Sequence, residues 1–185
     1  LQIGETTGEA GAKFIKEKLG GKAKIGVLQF KSLLPEQSGD RVNGFLSKVK
    51  GEGVEVVADQ DAWLAEKAVA VAGDIITANP DINIIFAANE GGTVGGVQAV
   101  RNAGKQGKIF VFGTDGSEQI ANFLLSDDDV LQAVTAQKPY QMGVDAVNTA
   151  IAAIEGKPVE KTIIVPVQGL SRTDPEDVKK FKESL

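Results

Sequence analysis

The sequence contains no cysteine and no histidine, and aromatic residues make up only 5% of its 185 positions. These absences exclude thiol catalysis, disulfide bonds, zinc sites built from cysteine and histidine, and catalytic pairs of serine or cysteine with histidine. Long hydrophobic runs are also missing, since none approaches the ~20 residues that a membrane-spanning helix needs. We therefore expect no direct insertion into a membrane.

Positive charge is in deficit, because 20 Lys and Arg stand against 25 Asp and Glu and give a net charge of −5 at pH 7. The lysines are scattered among acidic residues, as in the run Lys16-Glu17-Lys18, which is typical of a solvated helix face. A nucleic-acid partner requires a basic surface, so none is expected here.

Two runs that resemble cofactor or metal sites lack the required spacing. Gly91–Gly96 is not a Gly-x-Gly-x-x-Gly motif and has no P-loop lysine, so its small residues predict close packing of a helix on a sheet. Asp127–Asp129 lacks the alternating oxygen ligands and the distal glutamate of a calcium loop, which favours a plain acidic turn. We expect no cofactor and no metal.

What the sequence does contain is a regular alternation of short apolar runs with helical patterns. Such alternation, with short connections, predicts an α/β fold: a doubly wound parallel sheet covered by helices on both faces. The predicted strands are Ile25–Phe30, Val54–Ala58, Ile82–Ala88, Lys108–Gly113, Val130–Ala136 and Thr162–Val167.

Caps and breakers give the helix boundaries. Thr6 or Thr7 is predicted to cap a first helix that runs to Leu19 and ends at Gly20-Gly21. A long loop is expected over Lys31–Asp40. The other predicted helices are a segment ending near Gly51, Leu64–Asn79, Gly91–Gly104, a helix capped by Ser117 that runs to Leu125, and one from Lys138-Pro139 to Gly156.

The end of the chain differs from the rest. Thr173–Lys182 predicts a short charged helix without a strong apolar face, so we expect it to lie on the surface or to pack on something outside this chain. The sequence is therefore divided into one lobe, residues 1–168, and a tail, residues 169–185.

Polar or aromatic residues follow five of the apolar runs, where they would share the carboxyl edge of a parallel sheet. In open α/β sheets that edge binds ligands. Hydroxyl-binding side chains at this edge favour half of a sugar site. The five residues are Arg41, Trp63, Asn89, Asp115 and Gln137.

Each of the five also has a purely structural interpretation. Arg41 could pair with Asp40 or Glu36 on the surface, and Trp63 could belong to the core. Asn89 could form an Asx turn into its helix, and Asp115 could cap the next helix or form a turn. The residues taken singly leave both interpretations open.

At these residues the chain resembles the C-terminal lobe of the type I periplasmic binding proteins, and within them the ribose-, galactose- and glucose-type sugar-binding subunits of ABC importers. The resemblance covers nearly the whole chain in order and spacing. It is carried by Phe14-Ile15-x-x-Lys18-Leu19-Gly20, Arg41-Val42-Asn43-Gly44-Phe45, Ala58–Trp63, Ala78-Asn79-Pro80-Asp81-Ile82, Ile85-Phe86-Ala87-Ala88-Asn89-Glu90, Val111-Phe112-Gly113-Thr114-Asp115-Gly116 and Ala136-Gln137-Lys138-Pro139-Tyr140-Gln141-Met142-Gly143.

The resemblance implies roles for the edge residues. Arg41, Asn89, Asp115 and Gln137 would hydrogen-bond the sugar, and Trp63 would take the place of the usual ring-stacking aromatic. Two departures, Gly4-Glu5-Thr6-Thr7 where the family often has Asp-Asn, and Glu90 where it has Asp, bear on the identity of the ligand rather than on the fold.

The resemblance also implies partners. The family has an N-terminal lobe that closes on the ligand by hinge motion, and only the tail Gly169–Leu185 would belong with it here. We expect a fragment or processed piece of a carbohydrate-binding component that delivers its sugar to an ABC transporter permease. The implied location is periplasmic or extracellular, with a lipid anchor at the cell surface in a Gram-positive organism.

Three alternatives share the fold. The first is the effector domain of a LacI-type transcription regulator, although the acidic charge favours transport. The second is an enzyme that uses Asp115 with Glu90 or Glu36, or Thr114 as nucleophile; no histidine or lysine base is evident beside these turns, and we expect no enzymatic activity. The third is a sensory accessory lobe, which differs from the transport protein only in its partner.

Overall fold

Six strands and seven helices alternate along the chain, and the computed structural model describes all 185 residues. The elements are α1 Gln2–Lys18, β1 Ala23–Gln29, α2 Pro35–Val49, β2 Val54–Asp61, α3 Ala65–Ala78, β3 Ile84–Ala87, α4 Glu90–Asn102, β4 Phe110–Thr114, α5 Glu118–Leu124, β5 Leu131–Ala136, α6 Pro139–Ile154, β6 Gln168–Ser171 and α7 Pro175–Glu183. The strands form one sheet in the order β2-β1-β3-β4-β5-β6, in which the first five are parallel and β6 runs antiparallel to β5.

The sheet is sandwiched between two helical layers, as the doubly wound prediction requires. On one face α1 and α2 enclose a core centred on Phe45 and Phe86, whose rings stack with their centroids 4.0 Å apart. On the other face α3, α4, α5 and α7 cover a larger core. Strands β3, β4 and β5 are buried along their whole length, which explains their continuous apolar runs.

The strand order reverses between β1 and β3. From β1 the chain passes through α2 to β2 on one side, and it then returns through α3 to β3 on the other side of β1. This reversal opens a crevice outside the carboxyl ends of β1 and β3, the place where open α/β sheets bind ligands. The loops after β1, β2, β3, β4 and β5 all meet this edge.

Two predicted helix starts were wrong. Helix α1 begins at Gln2, so Thr7 lies within it, and its fully buried hydroxyl donates to the carbonyl of Gly113 at 3.0 Å. Helix α2 begins at Pro35, within the segment predicted as a loop. Proline at the first helical position was a usable signal, because its fixed φ and missing N–H suit that position.

The segment after β5 does not join the packed core of the protein. None of the sixteen residues of α6 is buried, although the helix is rich in apolar side chains such as Val147, Ile151 and Ile154. The predicted strand Thr162–Val167 does not form, and these residues have no regular structure. Together α6 and residues 160–167 flank an open cleft of about 500 Å³, which residues 1–3 and Gln137 also line.

The tail, by contrast, belongs to the core of this lobe. Strand β6 completes the sheet, with Leu170 buried, and α7, which packs against α5 and β6, buries Val178 and Phe181. The prediction that this helix lacks an apolar face was wrong, because its two inward residues are three positions apart on one helical face. The division at residue 168 between this lobe and a second one stays a prediction.

The glycine-rich start of α4 packs closely, as predicted, but against two different neighbours. A β-carbon on Gly91 or Gly95 would overlap the backbone of the β2–α3 connection or of α3. Gly92 and Gly96 instead face Ala87 and Ile85 of the sheet. The small residues therefore let α4 approach both α3 and the strands.

No helix of the chain combines the length and the apolar character that crossing a membrane requires.

Candidate functional site

Asp115 is the centre of the polar cluster at the carboxyl edge. It follows β4 directly, and its backbone φ of 73° is in the left-handed region, which costs a non-glycine residue about 1–3 kcal/mol. The Asp115 carboxylate accepts from Gln137 Nε2 at 2.5 Å and from the backbone N–H of Glu90 at 3.2 Å. Asp115 does not cap the next helix; Ser117 does, as predicted. Strained backbone at a ligand edge is typical of a functional residue.

Arg41 supplies the positive charge opposite this carboxylate. It lies within α2 rather than at its start, is 5% exposed, and places Nη1 3.5 Å from Asp115 Oδ2 and 2.8 Å from the carbonyl of Ala88. The interpretation of Arg41 as a surface partner of Asp40 or Glu36 was therefore wrong. Burial lowers the pKa of Arg41 from its ordinary value, and the Asp115 carboxylate acts in the opposite direction.

One buried nitrogen of Arg41 has no partner within the protein. Its Nε is buried and makes no hydrogen bond, while the guanidinium lies over the ring of Phe30 with Cζ 5.2 Å from the centroid. A buried N–H without an acceptor is costly, because the group has lost water without replacing it. An acceptor oxygen brought by a ligand would remove that cost.

Asn89 joins the β3 loop to the β2 loop. Its Oδ1 accepts from the N–H of Gly92 and so caps α4, and its Nδ2 donates to the carbonyl of Trp63 at 2.9 Å. Asn89 therefore has the structural role considered for it at the start of its helix, but as an N-cap bonded three residues on rather than as an Asx turn. A carboxamide has further donor and acceptor capacity beyond these two bonds, so capping and ligand binding are compatible.

Trp63 lies in the β2–α3 loop, partly buried against the α1/α2 core. Its indole Nε1 donates to Ser32 Oγ at 3.3 Å, and Ser32 in turn donates to Asp61 through both its hydroxyl and its backbone N–H. Ser32 and Asp61 were not among the residues predicted for the site. The polar residues that end β1 and β2 were the available signal, but no spacing rule links them.

Asp61 is held ionised by these contacts. Its partial burial acts to raise the pKa, but donation from Ser32 and the charge of Lys67 outweigh that effect and hold the pKa of Asp61 below its ordinary value. Asp61 therefore remains a charged acceptor for the hydroxyl that receives the Trp63 N–H.

The cluster combines groups suited to neighbouring hydroxyls. A hydroxyl donates one hydrogen bond and accepts others, so it binds well between a carboxylate and a guanidinium or an amide. Asp115, Arg41 and Gln137 provide that combination within one connected network.

Thr114, considered above as a nucleophile, is fully buried and donates its hydroxyl to the carbonyl of Ala87. No group of three acidic side chains is arranged to hold a metal ion.

Comparison with known proteins agrees with this geometry. The family model of the periplasmic binding protein domain matches residues 4–158, and the chain belongs to that family. It is 34% identical over 179 residues to the ABC transporter periplasmic-binding protein YphF of Escherichia coli K12, covering 94% of this chain and 53% of the relative. It is also 34% identical over 150 residues to the D-allose-binding periplasmic protein of the same organism, covering 79% of this chain and 47% of the relative.

Solved structures of similar proteins carry sugars. An ABC transporter periplasmic solute-binding protein of Actinobacillus succinogenes with bound D-allose superposes with a TM-score of 0.83 at 28% identity, over 95% of this chain and 62% of the other. A carbohydrate-transporter solute-binding protein of Agrobacterium radiobacter in complex with D-arabinose gives a TM-score of 0.85 at 29% identity, over 96% and 61%. The chain spans about half the length of the curated relatives it matches.

Proposed function

We propose that this chain is one ligand-binding lobe of the solute-binding component of an ABC importer, and that it captures a monosaccharide. The observation that carries the proposal is the Arg41–Asp115–Gln137 network, set at the switch point of the sheet around an aspartate with a left-handed backbone. The D-allose-binding relative and the two solved structures with D-allose and D-arabinose support the same class of ligand.

In this function each edge residue has a distinct role. Asp115 accepts hydrogen bonds from sugar hydroxyls, and Arg41 and Gln137 hold its carboxylate in place while donating to other oxygens. Asn89 adds its free amide capacity. Trp63 offers an apolar face to the C–H side of the sugar ring. The proposed function is binding without catalysis.

A second lobe completes the proposed site. Helix α6 is rich in apolar side chains and has no buried residue. This helix and the cleft beside it present the surface that such a lobe would cover. Three passages of the chain meet at this cleft, namely residues 1–3, Gln137 and residues 160–167. They correspond to crossings between the lobes, so closure would move Gln137 relative to Asp115. In this arrangement residues 138–167 border the second lobe.

The proposed setting follows from the relatives. We infer a periplasmic or extracellular location, with a lipid anchor where the organism lacks an outer membrane, and delivery of the sugar to a membrane permease. The curated relatives described above are named as periplasmic binding proteins, which favours transport over the effector domain of a transcription regulator.

The experiment is a ligand screen by calorimetry and thermal shift, with D-ribose and D-allose included. The chain alone is expected to bind in the millimolar range or more weakly, because it supplies one side of the site; micromolar affinity would contradict the need for a second lobe. Arg41→Ala and Asp115→Ala should each abolish the response.

Matched controls for these two variants exist within the chain. Asp129 is the other non-glycine residue with positive φ, at 55°, and Arg101 is a partly buried arginine paired with Asp128 at 2.5 Å. Asp129→Ala and Arg101→Ala change similar backbone and charge environments away from the site, so they should leave binding intact. Equal loss of binding in the controls, or unchanged binding in Arg41→Ala and Asp115→Ala, would contradict the proposed site.

A further inference from the structure

Thr93 joins the two loops that carry Asn89 and Asp115. It lies in the first turn of α4 and is completely buried. Its Oγ1 donates to the carbonyl of Asn89 at 2.9 Å and accepts from the backbone N–H of Thr114 at 3.1 Å. The carbonyl oxygen of Thr114 is a second acceptor within reach of the same hydroxyl, at 3.3 Å. One hydroxyl thus binds the residue that ends one loop and the residue that precedes Asp115.

The hydrogen bond from the Thr114 N–H to Thr93 takes the place of a backbone hydrogen bond between β3 and β4. The ladder between β3 and β4 ends at the pair Phe86–Phe112, so Thr114 lies beyond it. On the other side, β5 binds the next residue through the N–H of Asp115 and the carbonyl of Thr135 at 2.9 Å. Thr114 is held twice from the β3 side: its own hydroxyl donates to the carbonyl of Ala87, and its backbone N–H donates to the hydroxyl of Thr93. Without the Thr93 hydroxyl that buried N–H would lose its partner.

The fit of Thr93 is steric as well as polar. A β-carbon on Gly113 would lie 2.3 Å from Thr93 Oγ1, so the threonine side chain rests on the bare glycine backbone. This contact sets the separation between the start of α4 and the end of β4. The hydrogen bond from the N–H of Glu90 to Asp115 depends on that separation.

We propose that Thr93 is a positioning residue, which holds the Asp115 carboxylate and the Asn89 loop in the arrangement that binds sugar. This inference rests on the proposed function for its consequence, but the positioning itself is measurable without ligand. Thr93 does not touch the sugar in this scheme. It acts through the backbone of Thr114 and through Asn89.

The first measurement is amide hydrogen exchange on this chain without ligand. Thr93→Val keeps the shape and removes the hydroxyl, so the N–H groups of Thr114 and Glu90 should exchange about tenfold faster while the core strands stay protected. Thr93→Ser retains the hydroxyl and should behave like the parent. Uniformly faster exchange in Thr93→Val, or no change at Thr114, would overturn the proposal. If Thr93→Val is insoluble, Thr93→Ala makes the same deletion.

The second measurement is sugar affinity, by titrating amide chemical shifts with D-allose or D-ribose. Thr93→Val should weaken binding about tenfold, equivalent to ~1.4 kcal/mol, and Thr93→Ser should restore it. Thr77 is the matched control, because its hydroxyl makes the same bond to the carbonyl four residues back, at 2.8 Å, on an exposed face of α3. Thr77→Val should leave affinity unchanged, and an equal loss there would overturn the proposal.

A negative result in one measurement has a different meaning from a negative result in the other. If the parent chain shows no shift with any sugar even at concentrations far above the millimolar range, the proposed function is contradicted, while the exchange data still decide whether Thr93 holds the two loops. If the parent binds sugar and Thr93→Val binds equally well, the proposed function stands and the role of Thr93 is wrong.

Discussion

A β-carbon on Gly4 would lie 1.9 Å from the carbonyl oxygen of Arg41. The first turn of α1 therefore touches the backbone of the residue that carries the buried positive charge of the site. Gly8 continues this contact along α1, against Phe45 of α2. The glycines of α1 thus set how deeply α2 lies on the sheet, and with it the position of the Arg41 guanidinium.

Gly4→Ala is expected to push α2 away and to destabilise the protein by about 1–3 kcal/mol, because the neighbouring atom is rigid backbone. Urea denaturation measures this change. Gly39 of α2 is the control, since a β-carbon there meets nothing within 4 Å. Gly39→Ala should stabilise by roughly 0.5–1 kcal/mol through helix propensity. Destabilisation by Gly39→Ala, or none by Gly4→Ala, would contradict the close α1–α2 contact.

The emission of Trp63, the single tryptophan, is expected to change on acidification. The pKa of Asp61 is held below its ordinary value, so the stabilisation it gives is present above the unfolded pKa of ~4 and is lost as pH falls through the folded value. Protonation then weakens the Ser32–Asp61 contact that supports the indole N–H. Fluorescence against pH measures the change.

Asp61→Asn should remove this acid transition of Trp63. Asp81 is the control, because its pKa is also lowered, first by the hydrogen bond from Lys24, at a distant edge of the sheet. Asp81→Asn should leave the transition in place. An unchanged transition in Asp61→Asn would mean that another group controls the indole.

Phe181→Ala is expected to destabilise this chain by about 3–5 kcal/mol, because it removes a core side chain that lies against Gly116. Thermal or urea unfolding measures it. Ile154→Ala on α6, where the side chain is 86% exposed, should change stability by less than about 0.5 kcal/mol. Similar effects from both substitutions would contradict the packing of α7 in this lobe.

The exposed face of α6 is expected to make the isolated chain self-associate, since large contiguous apolar patches drive association. Sedimentation velocity should show concentration-dependent species. The double variant Val147→Lys with Ile151→Lys should be monomeric. Leu33→Lys with Leu34→Lys alters two leucines that are also about half exposed but lie in the β1–α2 loop, and it should associate like the parent. The opposite pattern would place the associating surface elsewhere.

The sheet could be predicted from local sequence because each buried strand is a short apolar run ended by turn residues. The glycines that end α1 do so as predicted, with φ of 62° at Gly20 and 81° at Gly21. Thr7 could not be placed locally, because its hydroxyl binds Gly113 and Thr135, more than one hundred residues away. Residues 162–167 have the pattern of a strand but no strand to pair with.

The candidate site was predicted from the order of strands and polar residues along the chain. Three of the five predicted residues lie in one connected network, and the binding role of all five stays a prediction. Ser32, Asp61 and Thr93 were missed because they act on other side chains or on backbone groups from neighbouring loops. Small polar residues of this kind look like ordinary turn or helix residues until the loops are brought together.

The antiparallel strand β6 has a consequence for the order of folding. It pairs with β5 only after the chain has closed a loop over the whole of Gln137–Val167, and closing that loop costs entropy. The loop gains little burial to offset this cost, since α6 buries none of its residues here. We therefore expect β6 and α7 to join a sheet whose parallel strands are already assembled, and to be the first elements released when the chain unfolds.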